Sequence, residues 1–476
     1  MKKLPLLWGS LLLLYFNAQA QGKWDLKRCV EYAVSNNISV KQADVQARLS
    51  ELTLKQSKLS QIPSLGFGSS ISYNSGYTQN PQTFALVTSG LFYNSYNLQS
   101  NVNFFNFGSL HNIALGNQFS YLAANANTER LKNDISLQVA NAYLTFLLDN
   151  ETAKSAELQL KQSQAQLLAT QKQVLAGTLP ELNAAELESQ VAQDSSAYVS
   201  AKSTTEQAAL TLKAYMSLDA ATPFELDTPP IEQIPVENIA NLQPQDVYTL
   251  ALQNQPLQKY DGLQIKAAQK FVAASKGQML PTLSLFGSLS STYTNQAEEV
   301  TGFAQVGGSP IGTVSVSGTD YQVVSYPYQT PTFRKQSFTS QLNTAFRQSI
   351  GLSLNVPIFQ GASLKTNYEK SKLNVKNLEL QQQSDNLSLK QNIYQAYNAC
   401  IAAFQKFEAN KKTVQSTKRS YDYSQKRYDV GLSNTLDLLT NQNNYFKAVV
   451  NLLYSQFDYV FKMKVLEFYK GMGIKL

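Results

Sequence analysis

Histidine is almost missing from this chain: His111 is the only one in 476 residues. A Ser-His-Asp triad or a histidine-based metal site therefore has no material to build from. His111 itself reads as a polar residue at a strand-to-helix corner. Cysteine is scarce too. Cys29 and Cys400 are the two present, and their spacing fits neither a metal nor a redox motif. Free buried thiols are the default reading, and a bridge between them stays open. Charged residues make up 15% of the chain, against a usual share of about 25%. Gln, Asn, Ser and Thr fill the deficit, a composition met in secreted chains and in polar channels. The net charge of +7 is spread thinly, with no Lys/Arg block, so nucleic-acid binding finds no support. There is no G-x-x-x-x-G-K motif, so a P-loop nucleotide site is not expected.

Long apolar runs are also lacking beyond the N-terminus. Residues 1–20 read as a secretory signal: Lys2 and Lys3, an apolar stretch from Leu4 to Phe16, then Ala18-Gln19-Ala20 before Gln21. No cysteine follows directly, so a lipid-anchored N-terminus is not expected. No later stretch has the ~18 consecutive apolar residues of a membrane helix. The mature chain is then either soluble or a membrane β-barrel.

What is present is helical period on an unusual scale. From Leu110 to about Ala176 there is no Pro and one glycine, Gly116. The stretch from about Ser363 to Val430 has neither. Each predicts about 100 Å of helix, a rod that no ordinary globular domain can bury. Each breaks at a glycine, Gly177 or Gly431, and a return helix follows, to about Leu218 in the first case. Beyond Gly431, Leu436, Leu439, Asn443, Phe446, Val450, Leu453, Phe457 and Val460 step by three and four, a heptad seam. Both breaks therefore read as tips of long helical hairpins.

Between the helices the period changes to two. Leu65, Phe67, Ile71 and Tyr73 alternate with Gly66, Gly68, Ser70 and Ser72. Tyr96, Leu98, Val102 and Phe104 alternate with Asn97, Gln99, Asn101 and Asn103. Leu283, Leu285, Leu289 and Tyr293 alternate with Ser284, Ser288, Ser290 and Thr292. Ile350, Leu352, Leu354, Val356 and Ile358 form the last series. These are four strands with one apolar and one polar face each. Residues 74–94 and 295–345 read as loops.

The chain repeats itself. TLALQNQPLQKYDGLQ echoes EYAVSNNISVKQADVQ, and Pro63, Gly108 and Gly177 have counterparts in Pro281, Gly361 and Gly431. The first repeat covers 21–245, with a helix from Trp24 to Leu59 that Asn36 and Asn37 interrupt, strands near 64–74 and 95–107, and its tip near 177. The second covers 246–476, with strands near 282–294 and 347–359 and its tip near 431. A Pro-rich linker over 219–245 joins them.

Four strands with apolar outer faces cannot close a barrel alone, since the smallest membrane barrels need about eight. Three copies would give 12 strands, with the helices extending the tube on one side of the membrane. The expected fold is thus an α+β membrane protein: a trimeric 12-stranded β-barrel, four strands per chain, continuous with a long α-helical barrel. The short helices are expected to meet the return helices end to end at mid-height.

At this point the residues resemble the outer-membrane efflux factors of the TolC family. LNVPIFQGA at 354–362 resembles that family's strand-to-helix corner, with NFFNFGS at 103–109 as its echo, and YDVGLSNTLDLL at 428–439 resembles its tip. The likeness runs over essentially the whole mature chain. It implies a homotrimer in the outer membrane, contacting lipid, with its helical tunnel in the periplasm. It implies as partners a periplasmic adaptor, or membrane fusion protein, and an inner-membrane transporter. No cofactor and no enzymatic activity are implied. Asp437 matches the family's pore-lining tip aspartate. Thr440 stands where a second Asp is common, and Asn183 where the first hairpin often has another. Tyr428 matches the tyrosine of the closing links, whose Arg partner falls at Ser433 here. Gly177, Thr178, Val430, Gly431 and Leu432 match the surface that docks the adaptor. Read without the resemblance, Asp437 is a carboxylate on a helical first turn and Tyr428 is seam packing.

The expected function is a passive outer-membrane exit duct for small toxic molecules or drugs in a tripartite efflux pump. The exit duct of a type I secretion system is the alternative. A surface coiled-coil adhesin would need neither the strand quartet nor the duplication, and a secreted enzyme would need a compact domain to hold a carboxylate pair. The tip is expected to close by helix packing and polar contacts, with Asp437 alone supplying charge selectivity.

Overall fold

The computed structural model of the chain describes residues 23–79, 84–88 and 90–471. The expected secretory signal lies outside the described residues. The chain divides into two compact units. One is helical and gathers residues up to Leu52, Gln118–Ala267 and from Asn374 on; the other gathers Thr53–Asn117 and Ala268–Leu373.

In the helical unit, α1 (Leu26–Asn36) and α2 (Ile38–Leu59) are separated at Asn37. The long α3 (Ser109–Leu175) returns through α4 (Glu181–Met216). After the Pro-rich linker, α5 (Pro244–Asn254), α6 (Pro256–Gly277), α8 (Ser363–Asp429) and α9 (Thr435–Tyr469) repeat the order. Both α3 and α8 are 67 residues long. Their surface carries several i,i+3 and i,i+4 ion pairs, such as Lys161–Glu157 and Arg130–Asp134. Each such exposed pair contributes only about 0.3–0.5 kcal/mol, so packing holds the rods.

That packing is concentrated in two apolar cores. The first joins Trp24, Cys29, Ala33, Val139, Tyr143, Leu147, Leu212 and Met216 with the linker residues Leu226 and Ile231. The second joins Leu242, Val247, Ala251, Leu389, Ile393, Cys400, Met463 and Leu466. The two cysteines thus sit in different cores as free thiols, which resolves the question of a bridge. Desolvation pushes the Cys29 thiol up to about 12 and the Cys400 thiol up to about 11.

The short helices meet the return helices end to end. Asn37 Nδ2 donates to the Tyr215 carbonyl at 2.8 Å, at the C-terminus of α4. Gln255 Nε2, at the corresponding break between α5 and α6, donates to the Phe468 carbonyl at 3.1 Å, at the end of α9. In both places a side-chain amide fills carbonyl valences that a helix end leaves open.

The second unit is built on a four-stranded antiparallel sheet in the order β1-β4-β5-β10. Its strands are β1 (Ser64–Asn74), β4 (Leu91–Phe105), β5 (Thr282–Thr294) and β10 (Arg347–Asn355). Register puts the apolar series on one face. Phe67 stands opposite Leu98, Leu98 opposite Leu289, and Leu285 opposite both Val102 and Leu352. The other face carries Asn97, Gln99 and Asn101 beside Ser290, Ser288 and Ser349. Phe286 breaks the polar series and lies over Gly351, where an added Cβ would meet its ring at 2.7 Å. The apolar face is bare in the single chain: Ile350 is 81% exposed and Leu65 75%. Strands β1 and β10 each have one unpaired edge within this sheet.

Three expectations need correction. Residues 74–94 hold a small hairpin, β2 (Tyr77–Gln79) with β3 (Leu86–Thr88), and β4 already starts at Leu91. Residues 295–345 are not a structureless loop. They form β6 (Glu298–Val306) paired with β9 (Tyr328–Lys335), then β7 (Pro310–Val316) paired with β8 (Thr319–Val324), and a short helix α7 (Phe338–Thr344). The fourth strand ends at Asn355, before Val356 and Ile358. Pro357 cannot donate to a ladder.

Candidate functional site

The two hairpin tips, both in the helical unit, are built by one motif used twice. At the end of α3, the Gly177 amide donates to the Val174 carbonyl at 2.9 Å and the Thr178 amide to the Gln173 carbonyl at 2.9 Å. At the end of α8, the Gly431 amide donates to the Tyr428 carbonyl at 2.9 Å and the Leu432 amide to the Arg427 carbonyl at 2.7 Å. This is the Schellman pattern, which needs a residue in the left-handed region. Both glycines have φ of 72°. Arg427 tightens the second tip by donating from its guanidinium to the Leu432 carbonyl at 3.2 Å.

Asp437 sits in the first turn of α9, where the side chain of Asn434 caps the helix by accepting from the Asp437 amide at 2.7 Å. Its carboxylate is exposed, and the Ser433 hydroxyl donates to it at 3.4 Å. Ser433, which replaces the expected arginine, therefore turns toward Asp437 rather than Tyr428. Thr440 is exposed and its hydroxyl donates back to the Leu436 carbonyl at 2.7 Å. Asn183 is half-buried at the start of α4, and its amide donates to the Pro180 carbonyl at 3.2 Å.

Tyr428 is tied to the other hairpin. Its hydroxyl lies 3.2 Å from the Thr170 hydroxyl on α3. Next to it, Gln190 on α4 and Asn443 on α9 exchange amide hydrogen bonds of 3.3 and 3.2 Å. Their separation of 253 residues is close to the repeat offset, so two nearly equivalent positions face one another. Thr170 and Gln190 are not singled out by sequence. A clue to Gln190 was available: a polar residue at its repeat equivalent, Asn443, interrupts an apolar seam.

Packing between the tip halves of the helices mixes apolar side chains, Ala184, Leu187, Leu438 and Leu439 among them, with many polar ones. Thr170, Gln190, Asp194, Ser424, Thr435 and Gln442 are all buried there. The predicted seam is entered at Leu439, which is buried, rather than at Leu436. Leu436 is 63% exposed, while Thr435, Leu438 and Gln442 are buried. Apolar side chains also crown the tips: Leu175, Val430 and Leu432 are 87%, 68% and 71% exposed. No helix among the described residues is long and apolar enough to cross a membrane. Among those residues no group of His, Cys, Asp and Glu could hold a metal ion.

Comparison with known proteins agrees with this architecture. The family model described as outer membrane efflux protein matches residues 30–217 and 247–459, one segment per repeat. Outer membrane protein TolC of Escherichia coli strain K12 is 25% identical over 114 residues, which are 24% of this chain and 23% of that protein. That match spans about a quarter of its relative's length. The crystal structure of CusC superposes with a TM-score of 0.75 at 16% identity, over 96% of this chain and 95% of that one. The Campylobacter jejuni CmeC outer membrane channel gives 0.70 at 17% identity, over 94% and 86%. The open-state MtrE channel of Neisseria gonorrhoeae gives 0.68 at 17% identity, over 94% and 88%. At such identities the likeness establishes the fold. Matched over most of its length by the family model, the chain belongs to the outer membrane efflux protein family and is a TolC-type protein of the outer membrane.

Proposed function

We propose that three copies of this chain form a passive exit duct through the outer membrane, serving a tripartite pump that expels small toxic molecules or drugs. One observation carries this reading. The sheet has a single apolar face and two unpaired edges, β1 and β10. Exposed sheet edges are not tolerated in lipid, and three such sheets joined β10 to β1 close a 12-stranded barrel. The Asn, Gln and Ser face then lines the lumen. In the trimer, Asp437 contributes one carboxylate per copy at the tip, and the ring favours cations. Gly177, Thr178, Val430, Gly431 and Leu432 present the exposed tips to a periplasmic adaptor, with an inner-membrane transporter supplying energy.

The test has two arms. In planar bilayers the protein should give a cation-preferring conductance. Asp437→Asn should weaken that preference and the block by multivalent cations; an unchanged block would remove Asp437 from the constriction. In cells, deletion of the gene should sensitise to toxic compounds. Loss of a secreted protein with unchanged sensitivity would favour type I secretion instead.

A further inference from the structure

The segment between β5 and β10 has no counterpart of its size in the first repeat, and the middle of each of its two hairpins gathers apolar side chains on one face. In the lower hairpin, Val300 stands opposite Phe333 and Phe303 opposite Pro331. Thr301 is the extra residue of a bulge, so these four fall on one face. At the ends of that face stand the Glu298–Lys335 and Gln305–Gln329 pairs; the opposite face carries the Glu299–Arg334 ion pair, Thr330, Thr332 and Tyr328. The upper hairpin, closed by Ser317 and Gly318 at φ of 53° and 88°, repeats the pattern. Val314 stands opposite Tyr321, Gly312 opposite Val323 and Val316 opposite Thr319, with Thr313, Gln322, Ser315 and Asp320 on the other face. In the single chain the apolar side chains Val300, Phe303, Val314, Val316, Tyr321, Val323 and Phe333 are 39–65% exposed. A two-stranded ribbon is marginal in water by itself, and this one leaves both apolar faces uncovered.

Its root is fixed. The Gln336 amide donates to the Ala297 carbonyl at 2.9 Å, joining the two ends of the ribbon. Helix α7 then packs on β5: the Thr294 amide donates to Gln341 Oε1 at 2.8 Å, and the Ser291 hydroxyl to the Leu342 carbonyl at 2.7 Å. Phe338 of α7 lies against Tyr96 and Tyr293, with ring centroids 6.5 and 5.3 Å apart. Both tyrosines belong to the apolar face of the sheet, so α7 occupies the outward side of the root.

We infer that the ribbons of three copies pack apolar face to apolar face over the outer mouth of the barrel and narrow it; this rests on the trimeric reading above. The lipid interior is excluded as the cover, because the ribbon's free backbone edges cannot be satisfied there, and α7 stands on the outward side. A second copy is the occupant that barrel closure already supplies. The ribbon leaves β5 and returns through α7 to β10, the edge strand that meets the next copy. Twelve strands about 4.8 Å apart and tilted by about 40° enclose a barrel of radius roughly 12 Å. The nine residues of β6 alone span about 30 Å. Ribbons leaning inward therefore meet.

Single cysteines report this directly, since Cys29 and Cys400 are buried and held well above the usual thiol range. In the full-length protein in nanodiscs, Tyr321→Cys should give disulfide-linked dimers within each trimer on mild oxidation. Asp320→Cys, on the polar face, should give several-fold less. Phe303→Asp combined with Tyr321→Asp should raise single-channel conductance several-fold while native mass spectrometry still gives a trimer. The inference is overturned if the protein is trimeric and Tyr321→Cys stays unlinked, or links six chains. It is also overturned if a fluorophore at that site is quenched by brominated lipid. A protein that is not trimeric would overturn the exit-duct reading itself.

Discussion

Asp261 is the residue whose surroundings contradict its chemistry most clearly. It is buried on α6, and its Oδ2 has no hydrogen-bond partner among the described residues. Desolvation pushes its carboxyl up to about 6; Asp385 on α8 adds to the rise and Arg130 on α3 opposes it. The folded chain therefore holds a proton that the unfolded chain releases near pH 4. Stability from this group is complete below about pH 4 and is lost as the pH rises through about 6. Asp261→Asn should raise the melting temperature by a few degrees at pH 7.5 and leave it unchanged at pH 4. A gain of equal size at both pH values would mean that charge is not the cause. The buried Lys464–Glu467 pair, at 2.9 Å, works in the opposite sense. Glu467 Oε1 also accepts from the Glu237 amide at 2.8 Å. Glu467→Leu should destabilise by about 3–5 kcal/mol in denaturant unfolding, because it takes the carboxylate from a buried ammonium. Neither feature is visible in the sequence, since burial of a charge depends on which helices come to face it.

Among the elements, those with a strong local signal are legible. Gly177 and Gly431 end uninterrupted helical runs, and only a left-handed residue completes the motif found there. No atom lies within 4 Å of a Cβ added at Gly431, so Gly431→Ala meets backbone strain alone. It should cost about 1–2 kcal/mol in tip stability, seen as faster amide exchange over 425–440. Strand faces are legible as well, because period two fixes the side of every residue. Leu352→Arg should reduce insertion into lipid bilayers by about 2–4 kcal/mol, the range for a charge facing lipid near the midplane. Ser353→Arg, on the lumen side, should insert normally; equal losses would reject the assigned faces. The ribbon is illegible by the same standard. Its apolar faces are interrupted by Gly312 and shifted by bulges at Thr301 and Ile311, so no regular alternation survives. Leu436 fails differently. Heptad spacing defines the stripe Leu436–Leu439–Asn443 and its neighbour Thr435–Leu438–Gln442 almost equally; the partner helices bury Leu439 together with the second stripe and leave Leu436 outside.

At the scale of the whole molecule, the helical unit has apolar cores where short and return helices meet and mixed polar and apolar packing toward the tips. Apolar packing gains about 25 cal/mol per Å² buried, whereas a neutral hydrogen bond contributes a net ~0.5–1.5 kcal/mol. Where buried polar groups stand in place of apolar ones in the tip halves, packing gains less per contact. Buried Gln442 has no side-chain partner among the described residues, and Tyr428 meets α3 through one hydroxyl contact with Thr170. Under the exit-duct reading proposed above, such an arrangement would suit tips that open on demand. Gln442→Leu should turn an unpaired amide into apolar burial and stabilise the closed packing. Tyr428→Phe removes the link to Thr170 but keeps the ring. Recorded in planar bilayers, Gln442→Leu should lower the open probability and Tyr428→Phe should raise it. If both variants conduct as the parent does, the tip contacts within one chain do not set the gate, and contacts between copies must.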